Sequence, residues 1–162
     1  MRLMLIRRIA GHMLGGSGSV LENYLSLPRW AKTRGMVKLS RLLVLRMQRK
    51  LGVFISENAV IPKGTKFPHP VAIVIGDGVV LGQGVTIYQG VTLGGARLGD
   101  YAEGNYPVIG SNVTIFAGAI VVGRVNIGDG VTIGANAVVL TDITEYSVAV
   151  GAPARCILTN KD

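Results

Sequence analysis

The chain holds few side chains able to do chemistry, and the most pointedly placed of them is His69. It is one of two histidines among 162 residues and stands between two prolines in FPHPVAIVIG, residues 67–76. Imidazole is the side chain best able to take a proton near neutral pH, and the flanking prolines restrict the backbone that carries it. The chemistry that fits is general base catalysis on an acceptor hydroxyl. His12, in a basic and apolar stretch, suits no such role. The lone cysteine, Cys156, cannot close an internal disulfide.

A base must be held by something stiff, and the surrounding sequence is repetitive. From residue 75 it breaks into six-residue units that begin with an aliphatic residue: IGDGVV, LGQGVT, IYQGVT, then IGSNVT, IFAGAI, VVGRVN, IGDGVT, IGANAV and VLTDIT. ISENAV at 55 and IPKGTK at 61 keep the same form. Such a period is the signature of a parallel β-helix, three units to a triangular coil. The first residue of each unit should point inward and stack on its counterpart one coil away, burying what a single repeat cannot. The fourth residue should turn the corner. Gly78, Gly84, Gly90, Gly118 and Gly130, with Asn58, Asn112, Asn136 and Asp142, are the types that tolerate a left-handed backbone. The fifth is small or β-branched, as a short buried strand requires.

The rhythm slips twice. Units begin at 55, 61 and 67, but the next begins at 75, so two extra residues sit in the unit of Pro68, His69 and Pro70. This predicts a bulge, a device that redirects side chains and is enriched near functional sites. After Leu93 the next unit starts at 109 rather than 99, which leaves a polar, glycine-rich loop over 95–107 with Tyr101, Glu103, Asn105 and Tyr106.

Charge divides the chain. Residues 1–52 carry 11 Lys or Arg against Glu22 alone, whereas residues 53–162 carry 6 bases and 8 acids. The first segment lacks the hexapeptide rhythm. GGSGS followed by VLENYLSL predicts a short helix that stops at a proline, and MVKLSRLLVLRMQRKLG a longer one ended by Gly52. In the second, Lys38, Arg41, Arg46 and Arg49 gather on half of the circumference, so it reads as a basic amphipathic helix. The reading is a basic helical arm over 1–52, a β-helix over 53–144 and a tail over 145–162. The arm suits first a cap on the open end of the solenoid and second peripheral contact with an anionic membrane, and a cap with a basic outer face would do both. Nucleic acid is not expected, for want of interleaved aromatics or a binding motif. No visible secretory signal and a single cysteine suggest a cytoplasmic protein, with the inner membrane as the surface within the arm's reach.

These units resemble the hexapeptide-repeat acyltransferases over about residues 53–157. The resemblance implies a mainly β fold, a left-handed parallel β-helix with an N-terminal α-helical cap. YQGVTLGG at 88–95, PVIG at 107–110 and VGAPARCI at 150–157 look like serine O-acetyltransferase. In that family a histidine at the position of His69 deprotonates the acceptor, which attacks the thioester of acetyl-CoA in a groove between subunits of a homotrimer. On that pattern Gly95, Ala117 and Ala135 match positions whose main-chain amides contact acetyl-CoA, Arg155 could meet a cofactor phosphate, and Gln89 borders the same pocket.

The departures bear on the acceptor. Where that family has Asp before the histidine, Arg-His before the loop's closing proline and a further Asp one coil away, this chain has Pro68, Asn105-Tyr106 and Phe54. An amino-acid acceptor needs opposite charges for its ammonium and carboxylate, and polar, uncharged and aromatic groups suit a sugar instead. The expectation is therefore an O-acetyltransferase acting on a bacterial surface polysaccharide or its precursor, with Asn105 and Tyr106 against the acceptor and Glu57 or a backbone carbonyl orienting His69. The alternatives are serine O-acetyltransferase, or a non-catalytic scaffold on the same repeats. A zinc hydratase on this fold takes three histidines, to which each of three subunits could supply only one, so no metal is expected.

Overall fold

The computed structural model describes residues 17–159; His12, with the rest of residues 1–16, and residues 160–162 lie outside that range. Two helices lead into a triangular prism. Face A stacks Phe54–Ile55, Val74–Ile75, Thr92–Gly94, Ile120–Val122 and Val138–Val139 in chain order, every neighbour parallel. Face B stacks Val80–Leu81, Val108–Ile109 and Asn126–Ile127, extended by bridges from Val60 and Ile143. Face C stacks Thr86–Ile87, Thr114–Ile115, Thr132–Ile133 and Ser147–Val150, and Arg155–Thr159 closes its edge antiparallel. The chain visits A, B and C in turn, one coil per circuit.

The inward ladder is as the period requires. Ile75, Ile87, Leu93, Ile115, Val121 and Ile133 are fully buried, as are the fifth-position residues Val79, Val85, Val91, Val113, Ala119, Val131 and Ala137. Each large aliphatic group hidden this way contributes about 1.5–3 kcal/mol against leaving it in water.

The corners follow the sequence in part. Gly84, Gly90, Gly118, Gly130, Asn112 and Asn136 are left-handed, but Gly78, Asn58 and Asp142 are not. Asn58 instead donates its amide to Asp77 at 2.9 Å, and Asp142 accepts the Asn126 amide at 2.8 Å. Gly78 is needed for another reason: a Cβ there would stand 2.4 Å from Cδ2 of Tyr106.

Helix α1 (Ser17–Thr33) does not stop at the proline; Pro28 lies inside it. An interior proline removes one helical hydrogen bond. Here Leu21, Leu25, Pro28 and Ala31 recur on one buried face, and that packing outweighs the loss. Helix α2 (Val37–Leu51) ends at Gly52 with φ +61, as expected. The pair lies over the first coil: Ser40 donates to Glu57 at 3.1 Å, Lys32 donates to Asn58 at 2.5 Å, and Leu21, Leu25, Val44 and Leu51 join the prism core. The described helices thus cap the open end of the solenoid. No helix among the described residues is long and apolar enough to cross a membrane.

Candidate active site

His69 stands on the edge between faces C and A. Phe67, 2% exposed, anchors one end of its bulge in the core. At the other end Ala72 takes a left-handed backbone, φ +53, in line with the corners Gly52, Gly90, Gly118 and Asn136. Three backbone bonds fasten the segment: Val71 donates to the His69 carbonyl at 2.8 Å, Ala72 to Gly52 at 2.9 Å and Gly90 to Val71 at 3.0 Å. The imidazole itself is exposed. It does not turn into the prism interior.

The ring heads a column of aromatics. Its centroid is 6.2 Å from that of Tyr88, which stacks on Phe116 at 5.1 Å and 14°. Tyr88 and Phe116 hold the second position of their units, IYQG and IFAG, so the shared register was a signal that could have found them. Glu57 is not the group that orients His69, because its carboxylate accepts from Ser40 in the cap.

The next residue in each of these units lines the same edge. Gln89 and Ala117 occupy equivalent positions on successive coils, since Gly118 donates to the Gln89 carbonyl, and Ala135 continues the row, since Asn136 donates to that of Ala117. With about 4.8 Å between coils, the row runs about 14 Å from the level of His69 to that of Ala135. Amides on either side are engaged, Phe116 with Ile133 and Gly134 with Ala149. Among the described residues, those of Ala117 and Ala135 have no backbone acceptor. The Oε1 of Gln89 is buried without a described donor. An edge with free donors and an orphaned acceptor fits a ligand that carries amides of its own, and the pantetheine arm of acetyl-CoA is such a ligand. Arg155 lies two strand spacings further on, paired with Val150 on the closing edge strand, and is exposed, its Nη1 donating to the Ala154 carbonyl at 2.9 Å.

The loop over 95–107 leaves from a different edge, between faces A and B. Its organiser is Asp100, which the sequence reading missed. The buried carboxylate accepts the amides of Ala96 at 2.6 Å and Arg97 at 2.7 Å and the Asn105 side chain at 3.1 Å, and these bonds, led by that from Arg97, hold its pKa below the ordinary value. A Cβ at Gly95 would stand 2.9 Å from that of Asp100, so the loop base needs glycine. Asn105 also donates to Glu103 at 2.7 Å, which commits its amide nitrogen to the loop. Tyr106 lies over Gly76 and Gly78; burial first, then the Asp77 carboxylate, raises its pKa. Below the loop a cleft of about 570 Å³ is lined by Arg97, Leu98, Glu103, Val122, Arg124 and Leu140.

The structure therefore brings His69, Gln89, Ala117, Ala135 and Arg155 to one edge, and Gly95, Asn105 and Tyr106 to another. Phe54, half exposed on face A, lines a cleft with Glu57 and Asp77; Glu57 accepts from Ser40 in the cap, and Asp77 accepts from Asn58.

Comparison with known proteins bears on the repeat and the fold. Residues 106–141 match the family described as bacterial transferase hexapeptide (six repeats). The chain is 44% identical over 110 residues to a serine acetyltransferase of Helicobacter pylori, covering 68% of this chain and 63% of that protein. Among solved structures, serine acetyltransferase of Neisseria gonorrhoeae superposes with a TM-score of 0.83 at 30% identity, covering 94% of this chain and 59% of that one. A serine acetyltransferase in complex with CoA superposes with a TM-score of 0.65 at 29% identity, covering 83% of this chain and 55% of that one. The chain spans less than two thirds of the length of these relatives. It is thus a left-handed β-helix that carries the hexapeptide repeats of bacterial transferases and is homologous to the serine acetyltransferases.

Proposed function

We propose that the chain is an acetyl-CoA-dependent O-acetyltransferase, and the observation that carries this is the exposed His69 at the head of an edge with unengaged amides. His69 takes the proton of an acceptor hydroxyl; the oxygen attacks the thioester carbonyl; the tetrahedral oxyanion collapses, and the departing thiolate recovers the proton from the imidazolium. Gly95, Ala117 and Ala135 offer amides to the carbonyl and the pantetheine arm, Gln89 accepts from an amide of that arm, and Arg155 meets a phosphate. No step calls for a metal.

The site is composed by two copies. His69 and the loop stand on different edges of one prism, so a homotrimer that sets the His69 edge of one copy against the loop edge of the next supplies both. A threefold axis parallel to the prism keeps equivalent coils at equal height, and the loop cleft then faces the row of Gln89, Ala117 and Ala135.

The relatives are named for serine, which makes serine the first acceptor to test and supports it over the glycan. The glycan reading keeps one specific ground: Pro68, Phe54 and Tyr106 stand where charged partners of an amino acid are expected. Asn105 no longer adds to it, because its amide nitrogen is engaged within the loop.

Thiol release from acetyl-CoA, measured with serine, nucleotide sugars and surface oligosaccharides, tests the proposal. Acceptor-dependent release that His69→Ala lowers by at least about 10²-fold is expected. Release indifferent to that substitution would sink the mechanism, and no binding of acetyl-CoA would leave the scaffold.

A further inference from the structure

Helix α2 has a second face. Ser40, Val44 and Leu51 turn toward the prism, while Leu42 is 62% exposed, Leu45 49% and Leu39 38%. Lys38, Arg41, Arg46 and Arg49 are exposed on the same helix. At 100° per residue, Lys38, Leu42, Leu45, Arg46 and Arg49 all fall within about 60° of the direction opposite the buried stripe. The outward surface therefore interleaves cations with leucines. Leu45 also borders a cleft of about 280 Å³ together with Phe54, Glu57 and Asp77, so the basic and apolar surface ends at the carboxylates of the first coil and is confined to α2. From residue 17 to residue 52 the sequence has 8 bases and the single acid Glu22. No carboxylate lies on α2 to neutralise this face.

We propose that the outward face of α2 docks on an anionic phospholipid bilayer. Charge decides the occupant. A second copy, related by a twofold axis, would bring Lys38, Arg46 and Arg49 against the same cations, and like charges across an interface oppose association. Nucleic acid would satisfy the cations but leave Leu39, Leu42 and Leu45 in water. A bilayer takes both: lipid phosphates meet the lysine and arginines, and the leucines enter the boundary between headgroups and acyl chains. The helix lies in the interface and does not cross it. The surface is on the cap, away from the row of His69, Gln89 and Ala117, so this inference is independent of the acetyl transfer proposed above.

The experiment is co-flotation of the full chain with vesicles of phosphatidylcholine alone and with about 30% phosphatidylglycerol, at low salt and in 0.5 M salt. Binding to the anionic vesicles, none to the neutral ones and release by salt are expected. Arg46→Gln/Arg49→Gln lowers the partition coefficient about 30-fold, each cation near the surface being worth about fivefold. Leu39→Ser/Leu42→Ser keeps every charge and still lowers partition by at least about 10-fold. All four side chains are exposed, so melting temperature and thiol release stay at the level of the unmodified chain. Failure to float with anionic vesicles at low salt overturns the inference. So does partition unaffected by the leucine pair, or a single-stranded RNA oligomer that binds unchanged in the leucine variant and displaces the vesicles.

Discussion

Gly78→Ala tests whether one side chain pins the loop to the prism. The glycine is not in the left-handed region, so alanine meets no backbone strain. It meets Tyr106: the new Cβ would stand 2.4 Å from Cδ2, 2.9 Å from Cγ and 3.1 Å from Cε2. An ordinary carbon contact is about 3.5 Å, so the ring must retreat by about 1.1 Å. Cγ is among the crowded atoms, which means that the root of the side chain moves and not merely its tip. Overpacking of this kind costs about 1–3 kcal/mol, offset by about 0.4–1 kcal/mol because alanine restricts the unfolded chain. The net loss is about 1–2 kcal/mol, a fall in melting temperature of about 2–8 °C for a chain of this size. In a Tyr106→Ala background the clash is gone, and the same change should stabilise by about 0.4–1 kcal/mol. A double-mutant cycle by thermal and chemical unfolding, at one fixed protein concentration, reads a coupling of about 1–3 kcal/mol. If Gly78→Ala costs the same in both backgrounds, Tyr106 does not sit where the structure has it, and the account of the loop edge fails with it.

Other consequences can be checked separately. His69→Ala should leave the melting temperature within about 1–2 °C, because the ring is exposed, while acceptor-dependent thiol release falls at least about 10²-fold. Phe67→Ala empties a position that is 2% exposed and should cost about 3–5 kcal/mol in unfolding free energy, measured in urea. The Asp100 carboxyl is held below its ordinary pKa, so its contribution to the loop is present above the unfolded value of about 3.9 and is lost as pH falls through the folded one. Pepsin cleavage around Leu98 and Tyr101 should therefore accelerate toward lower pH, whereas Asp100→Asn should be cleaved readily across the whole acid range; equal pH dependence in the two proteins would refute the anchor.

The sequence alone determined the body of this protein because a solenoid is nearly one-dimensional: each coil touches only the next, so a six-residue period names the buried residue outright. Ile75, Leu93, Ile115 and Ile133 could be placed without a structure, and the two slips marked where the bulge and the loop would leave the prism. Local backbone preference also fixed the corners at Gly84, Gly118, Asn112 and Asn136. It failed where a tertiary neighbour decided. Gly78 is kept for the ring of Tyr106, Ala72 takes a left-handed turn because the bulge must rejoin the coil above Gly90, and Pro28 stays inside α1 because a buried face runs through it. The carboxylate of Asp100 escaped notice because two of its three partners are backbone amides, which leave no trace in a pattern of side chains. Period and spacing could say that His69 and the loop each interrupt the repeat. Only the folding of the chain around three faces put them on different edges, because the edge a residue reaches depends on the count of strands before it and on the two insertions together; the proposed homotrimer rests on that separation.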